Sequence, residues 1–430
     1  TKANKNVAVG ESALYALNLT TSTDSFNTAV GHHAGVRMTV GTINTLVGGQ
    51  SGEDLTTGDS NVAVGYVALS SDTQGDRNVA IGAGALKTQN FTTSTSVYNI
   101  GIGYDAGASI TSGSGHTLIG GLAGDALTTG NDNVAVGLQA LGGEVAGSNN
   151  VAIGNAALKV QSFSGATAAY NIGIGRSAGA AITTGVQNTI VGGLAGDAMT
   201  TGTNNTFVGF AANGAGITTG NSNTAIGVAA LADLTSGASN CAMGQDAGPS
   251  LTTGSNDMFL GHDAGRAGSP GGQWTTQSNV IVLGDENITN AYIQVDWTIT
   301  SDERDKTDFV DLDLGLDFVK ALEPVTYYWD KRSKYGDKYA DDYDLSAQTP
   351  DGTHKEDWMD IGFKAQAVRD LEEAAGYTAA ANKNLTVNHG ADGKQLGLQY
   401  NKFVPILVKA IKDQDAIITA LTARVAALES

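Results

Sequence analysis

Cysteine, proline, tryptophan and positive charge are all scarce in this chain of 430 residues. One cysteine, Cys241, permits no intrachain disulfide and gives no sign of an oxidising compartment. It stands in Asn240-Cys241-Ala242-Met243-Gly244, where sister segments place Val, and reads as a small buried apolar filler. Five prolines and the lack of a Gly-X-Y period exclude collagen despite 58 glycines. Lys and Arg number 24 against 43 Asp and Glu, for a net charge of −19. The acidity is shared, with 8 basic against 19 acidic residues over 1–300 and 16 against 24 over 301–430. No basic stripe is present to neutralise phosphates, so nucleic acid is not an expected partner. No apolar run approaches the ~20 residues of a membrane span and no signal peptide is visible, so membrane insertion is not expected. Tryptophan is absent before Trp274. Apolar residues nevertheless make up 41% of the chain, too many for disorder.

What is present is repetition. The core Asn-Val-Ala-Val-Gly stands at Asn6–Gly10, Asn61–Gly65 and Asn133–Gly137, with relatives between. The closing glycine recurs mostly every 17 residues, from Gly10 through Gly31, Gly48 and Gly65 to Gly261. Steps of 21 residues follow Gly10, Gly82 and Gly154, so a 17+17+17+21 unit recurs every 72 residues. A short fixed period means a solenoid or an array. Small and β-branched residues alternate over four or five positions, which predicts short strands. Gly and the Asn/Asp/Ser clusters supply the corners. One 17-residue coil cannot bury its own apolar face, so coils must stack. At ~4.8 Å per coil, fifteen coils make a rod of about 70 Å. A trimer sharing an apolar axis would complete the core. The fold class expected is therefore mainly β: a parallel β-roll or β-solenoid shaft over 1–285, junction strands over 286–300, and an α+β domain over 301–430, with Val280–Leu283 and Tyr292–Ile299 read as the two strands that close the shaft or enter the next domain.

The repeated Asn-Val-Ala-Val-Gly…Ala pattern over about residues 4–265 is similar to the head repeats of YadA-type trimeric adhesins. That resemblance implies parallel β-rolls wound three to a fibre.

Past residue 300 the repeats stop and Ser301-Asp302-Glu303-Arg304-Asp305-Lys306 appears. Downstream stand Leu322-Glu323-Pro324-Val325-Thr326-Tyr327-Tyr328-Trp329, Ile361-Gly362-Phe363-Lys364-Ala365-Gln366 and Leu398-Gln399-Tyr400. In this order the motifs resemble the intramolecular chaperone domain of phage tail spikes and fibres, the S74 peptidase family. The resemblance implies Ser301 as nucleophile, Lys306 as its base, Asp302 and Arg304 as shapers of the site, and a cut at Ser301-Asp302. A serine hydroxyl is weak until a base takes its proton, and a desolvated lysine can serve. Attack by Ser301 on its own carbonyl needs a four-membered ring. Attack on the Thr300 carbonyl would cut before Ser301, and a serine from a neighbouring subunit is a third route. The same run also fits a plain turn cap with Lys306 solvated.

A helix is predicted over 403–430. Leu407, Ile411, Gln414, Ile418, Leu421, Val425 and Leu428 step 4-3-4-3-4-3, a heptad seam with one polar member. It suits a trimeric coiled coil that aligns chain ends before similar coils pair out of register. An amphipathic helix on a globular core is the plainer reading.

Other signals were set aside. His32, His33 and His262 read as ordinary histidines, and Asp125, Asp197, Asp246 and Asp263 as corner residues, so no metal and no cofactor is expected. No paired carboxylates mark a glycan-cleaving cleft. Taken together, the resemblances imply a phage tail fibre or tailspike. It would be a homotrimer in the virion, assembled in the host cytoplasm, meeting other tail proteins and a host-surface glycan or protein receptor. The rivals are a bacterial trimeric adhesin, whose barrel anchor would need alternating ~10-residue strands, and a fibre-borne glycan hydrolase.

Overall fold

The computed structural model describes residues 3–19, 23–294, 297–340, 342–381, 383 and 385–429. It contains two compact units: Thr1–Asp263 with Thr275–Ile281, and Ala264–Trp274 with Val282–Ser430.

In the first unit, fifteen three-residue strands from Val7–Val9 to Met258–Leu260 stack in one parallel sheet. Register follows the repeat, with Ala63 opposite Ala80 and Ala135 opposite Ala152. Residues at the middle of each strand point inward and the flanking two point outward, as the period of two requires. In six coils the inward residue is Ala, Ala63 or Ala80 for example, and a leucine six residues on, Leu69 or Leu86, fills the space. Where the strand itself supplies the bulk, at Leu46 and Leu118, the position six on is Gly52 and Gly124. A Cβ at Gly52 would lie 2.9 Å from the Leu46 side chain. Volume is thus traded within these coils, and where both positions are small, as at Gly101 and Gly107, Leu86 of the coil before reaches in. The closing glycines have a harder reason. Gly65 has φ +141°, and a Cβ there would meet the carbonyl oxygen of Gly82 at 2.5 Å.

A polar column runs beside this apolar one. Most coils carry a buried Asn whose side chain reaches the next coil. Asn44 Oδ1 accepts from the Asn61 backbone N–H at 2.9 Å and from Asn61 Nδ2 at 3.2 Å. Asn61 Nδ2 also donates to the Gly75 carbonyl at 2.9 Å. Buried amides are satisfied by repetition alone, which is what a dry interior demands. Two rungs differ: His116 stands at one, and Asp257 at another.

The 21-residue coils place their extra residues as two-residue parallel strand pairs: Ala3–Asn4 with Thr23–Asp24, Gly75–Asp76 with Thr95–Ser96, and Gly147–Ser148 with Thr167–Ala168. In the last two, a buried carboxylate organises the insertion. Glu144 Oε1 accepts from the backbone N–H groups of Val145, Ala146, Gly147 and Phe163, and Gln161 Nε2 donates to its other oxygen. Asp72 with Gln89 repeats the device 72 residues earlier.

The second unit is α+β. Helices α1 (Leu316–Ala321), α2 (Ala365–Ala374) and α3 (Phe403–Glu429) accompany two antiparallel pairs, Val325–Tyr328 with Met359–Gly362 and Val387–His389 with Leu396–Leu398. Leu314, Phe318, Val368, Val387, Phe403 and Ile406 form its core. Buried Glu372 on α2 accepts from the backbone N–H and hydroxyl of Thr386 at 2.7 and 2.5 Å.

The mainly β shaft, the α+β character and the long last helix agree with the sequence reading. Two details do not. The expected strand at Tyr292–Ile299 is absent among the described residues there, and Tyr292, Ile293, Trp297 and Ile299 are exposed, because no neighbouring strand offers them a ladder. Val295 and Asp296 lie outside the described residues. Cys241 is half-buried rather than buried, because it is the first residue of its strand and shares the outward face.

Candidate functional site

Ser301 and Lys306 flank a 3-10 turn, Glu303–Asp305, that folds the chain back on itself. Asp302 caps the turn, its carboxylate accepting from the Arg304 backbone N–H at 2.9 Å. The Arg304 guanidinium then clasps the same carboxylate through Nε at 3.0 Å and Nη2 at 2.6 Å. This forked pairing holds the Asp302 carboxyl below its ordinary pKa. The turn closes when the Lys306 N–H donates to the Glu303 carbonyl at 3.1 Å.

The outcome is a short reach from Lys306 to Ser301. Lys306 Nζ lies 2.6 Å from Ser301 Oγ and 3.2 Å from the Ser301 carbonyl oxygen. The four residues singled out by sequence therefore sit in one turn, Asp302 and Arg304 bracing it and Ser301 and Lys306 in contact across it. Both Ser301 and Lys306 are exposed. A lysine must be neutral to take a hydroxyl proton, and desolvation is the usual means. Among the described residues none covers this one.

The downstream motifs converge elsewhere in the same unit. Tyr327 and Trp329 both direct polar hydrogens at Asp360 Oδ2, at 3.3 and 3.2 Å. Burial, with Asp360 and Tyr400 nearby, pushes the Tyr327 hydroxyl up to about 12. The Phe363 N–H donates to the Tyr400 hydroxyl at 3.2 Å, and the Phe363 ring stacks on Phe403. Asp360 lies next to a quoted motif and was missed by sequence reasoning, since no spacing rule joins it to residues some 30 positions earlier.

On α3 the heptad residues Leu407, Ile411, Ile418, Leu421, Val425 and Leu428 are all exposed, whereas Phe403, Ile406 and Ala410 face the core. In the solenoid, His32 and His33 stack on each other with ring centres 3.9 Å apart. Asp246, His262 and Asp263, read separately from sequence, bring potential ligand atoms within 4.8 Å of one another. No helix among the described residues is long and apolar enough to cross a membrane.

Residues 301–377 match the family model of Peptidase_S74, the chaperone of endosialidase. The match opens on Ser301 and takes in the first two downstream motifs; Leu398-Gln399-Tyr400 lies beyond it. No curated protein and no solved structure matches the chain.

Proposed function

We propose that this chain is a trimeric fibre of tail-fibre or tailspike type. Its solenoid shaft attaches to a host surface, and its C-terminal domain assembles the trimer and is then released by self-cleavage at Ser301-Asp302. A β-solenoid followed by a chaperone-of-endosialidase domain supports the fibre class. The observation that carries the cleavage reading is the 2.6 Å contact between Lys306 Nζ and Ser301 Oγ at the first residue of the family match.

In this reading Lys306 takes the Ser301 hydroxyl proton, and Asp302 with Arg304 holds the turn that joins them. The second Lys306 contact, to the Ser301 carbonyl oxygen, favours that carbonyl as the one polarised and hence the bond after Ser301. Attack by a neighbouring copy's serine avoids the four-membered ring. A neighbouring copy would also exclude water from Lys306, so that cleavage waits for assembly.

The outward face of the solenoid supports self-association. All fifteen third positions of the strands are Val, Ile, Leu or Met, and no first or third position is charged. The third-position column, ~70 Å long, is apolar throughout, and the first-position column beside it interleaves Val, Ile, Cys and Met with six Thr. Copies of the same pitch can cover this face rung for rung, and the exposed seam of α3 offers the same partners a coiled coil.

Intact-mass analysis of the purified protein beside Ser301→Ala and Lys306→Ala, with and without boiling, tests this. Wild type is expected as two pieces split after Ser301, with both variants whole and the larger piece a trimer in its unboiled form. A cut before Ser301 would select attack on Thr300 instead, and an uncut wild-type trimer would remove the protease role while leaving the fibre.

A further inference from the structure

We propose that the three 21-residue coils carry equivalent glycan-contact sites centred on Phe26, Tyr98 and Tyr170. The inference rests on the attachment reading and says where on the shaft attachment takes place.

The residue just before each Asn rung has a left-handed backbone, as at Lys5, Ser60 and Asn149. Such a corner favours Gly, Asn, Asp or Ser. Throughout the series it is polar or glycine, Ile43 apart, except in the 21-residue coils. There it is aromatic each time: Phe26, Tyr98 and Tyr170, with φ of 51°, 57° and 52°, spaced by 72 residues. A Cβ in this conformation costs on the order of 1 kcal/mol, so the turn does not select the ring. Burial does not select it either, since the three side chains are 52%, 57% and 55% exposed. Neither folding requirement accounts for an aromatic at these corners in a chain with only 6% aromatic residues. Residues kept against local preference are expected at functional sites.

The surroundings define the ligand. At Phe26 and Tyr98 a cation of the preceding coil reaches the ring, whereas Asn149 holds the matching place before Tyr170. Lys5 Nζ lies 5.0 Å from the Phe26 ring centre and pairs with Asp24 at 2.7 Å. The Arg77 guanidinium lies 5.6 Å from the Tyr98 ring centre and donates to the Ser96 hydroxyl. Ser94 Oγ donates to Asp76 Oδ2 at 3.2 Å on the same insertion. A half-exposed aromatic ring with hydroxyls and charged hydrogen-bonding groups beside it, as at Phe26 and Tyr98, suits a ring with one C–H face and a hydroxylated edge, which is a sugar. The three corners repeat every four coils, roughly 19 Å along the rod. A polymer of repeating sugar units can engage several at once, and avidity then multiplies a weak single contact.

The test uses fluorescently labelled full-length protein on a panel of bacterial strains. Wild type is compared with Phe26→Asn, Tyr98→Asn and Tyr170→Asn, singly and together, on cells treated with periodate or with protease. Each single change is expected to weaken adsorption several-fold and the triple change to abolish it. Periodate, which destroys sugar diols, should abolish wild-type adsorption, and protease should not. The triple variant should keep the trimer mass and melt no lower than wild type, since Asn suits the corner better than an aromatic. Unchanged adsorption by the triple variant would overturn the inference while sparing the attachment reading. Loss of the trimer would place the rings between copies, and loss of adsorption with protease alone would make the receptor a protein; either overturns it. Wild type adsorbing to no strain would defeat the attachment reading itself and the inference with it.

Discussion

The solenoid and the C-terminal unit solve the same problem, satisfying a buried polar backbone, in opposite ways. In the shaft one Asn per coil repeats one set of bonds, so that Asn44, Asn61 and Asn78 are interchangeable rungs. In the C-terminal unit buried polar groups are met singly, as where Glu372 holds Thr386 and Leu385. A repeating solution extends easily but does not define where it starts, because coils slipped by one repeat still match. A private solution has one register only. The difference teaches why such a shaft benefits from a non-repetitive partner that assembles first.

The glycines offer the largest break in this comparison. Gly65→Ala forces a Cβ against the Gly82 carbonyl in a backbone region side chains avoid. We expect a loss of roughly 3 kcal/mol or more, read as a lower melting temperature of the shaft. Gly397→Ala in the C-terminal unit has nothing within 4 Å of the added carbon, and is expected within about 1 kcal/mol of wild type. Equal effects would mean that close stacking does not distinguish the units. A second change, Leu421→Asp, places a charge in the exposed α3 seam. It should leave the C-terminal core folded by circular dichroism yet cut the yield of trimer several-fold by sedimentation, whereas a monomeric wild type would make the seam irrelevant.

The last effect concerns the odd rung, His116, and develops only as the pH falls. Burial lowers its pKa to about 4, with Asp132 and backbone groups opposing. Its Nδ1 accepts from the Asn133 N–H at 3.3 Å, which a protonated ring cannot do. Because the folded value lies below the ordinary 6.5, the unfolded chain binds the extra proton first. Stability should therefore fall as pH drops from about 6.5 to about 4 and level off below. His116→Asn restores the common rung and should remove that part of the pH dependence, seen as the difference between two melting curves across the window.

Much of this was legible in sequence because periodicity is a one-dimensional signal. The Gly65-type markers fixed coil length, and the α3 seam and the Ser301/Lys306 spacing were visible as written. The Asn column was not. Asn61 reads as a strand-edge or corner residue until the stack shows that its amide reaches Asn44 and Gly75 in other coils. Asp72 and Glu144 carry no signal in sequence for the same reason, their cradles being formed by the coil itself and by residues such as Phe91 and Phe163 in the next. The alternating apolar residues of Tyr292–Ile299 carried a strand pattern with no strand beside it. Pattern gives the face an element could bury, and only the neighbours decide whether it does.

The buried carboxylate with its amide recurs 72 residues apart, and with it the four-coil block it organises. Most rungs present the same Asn atoms to the rung above and below. A gene that gains or loses one such block therefore changes the reach of the fibre by a fixed increment of roughly 19 Å without creating a foreign joint anywhere. Fibre length becomes a heritable trait counted in whole blocks, adjustable by recombination while both ends stay as they were.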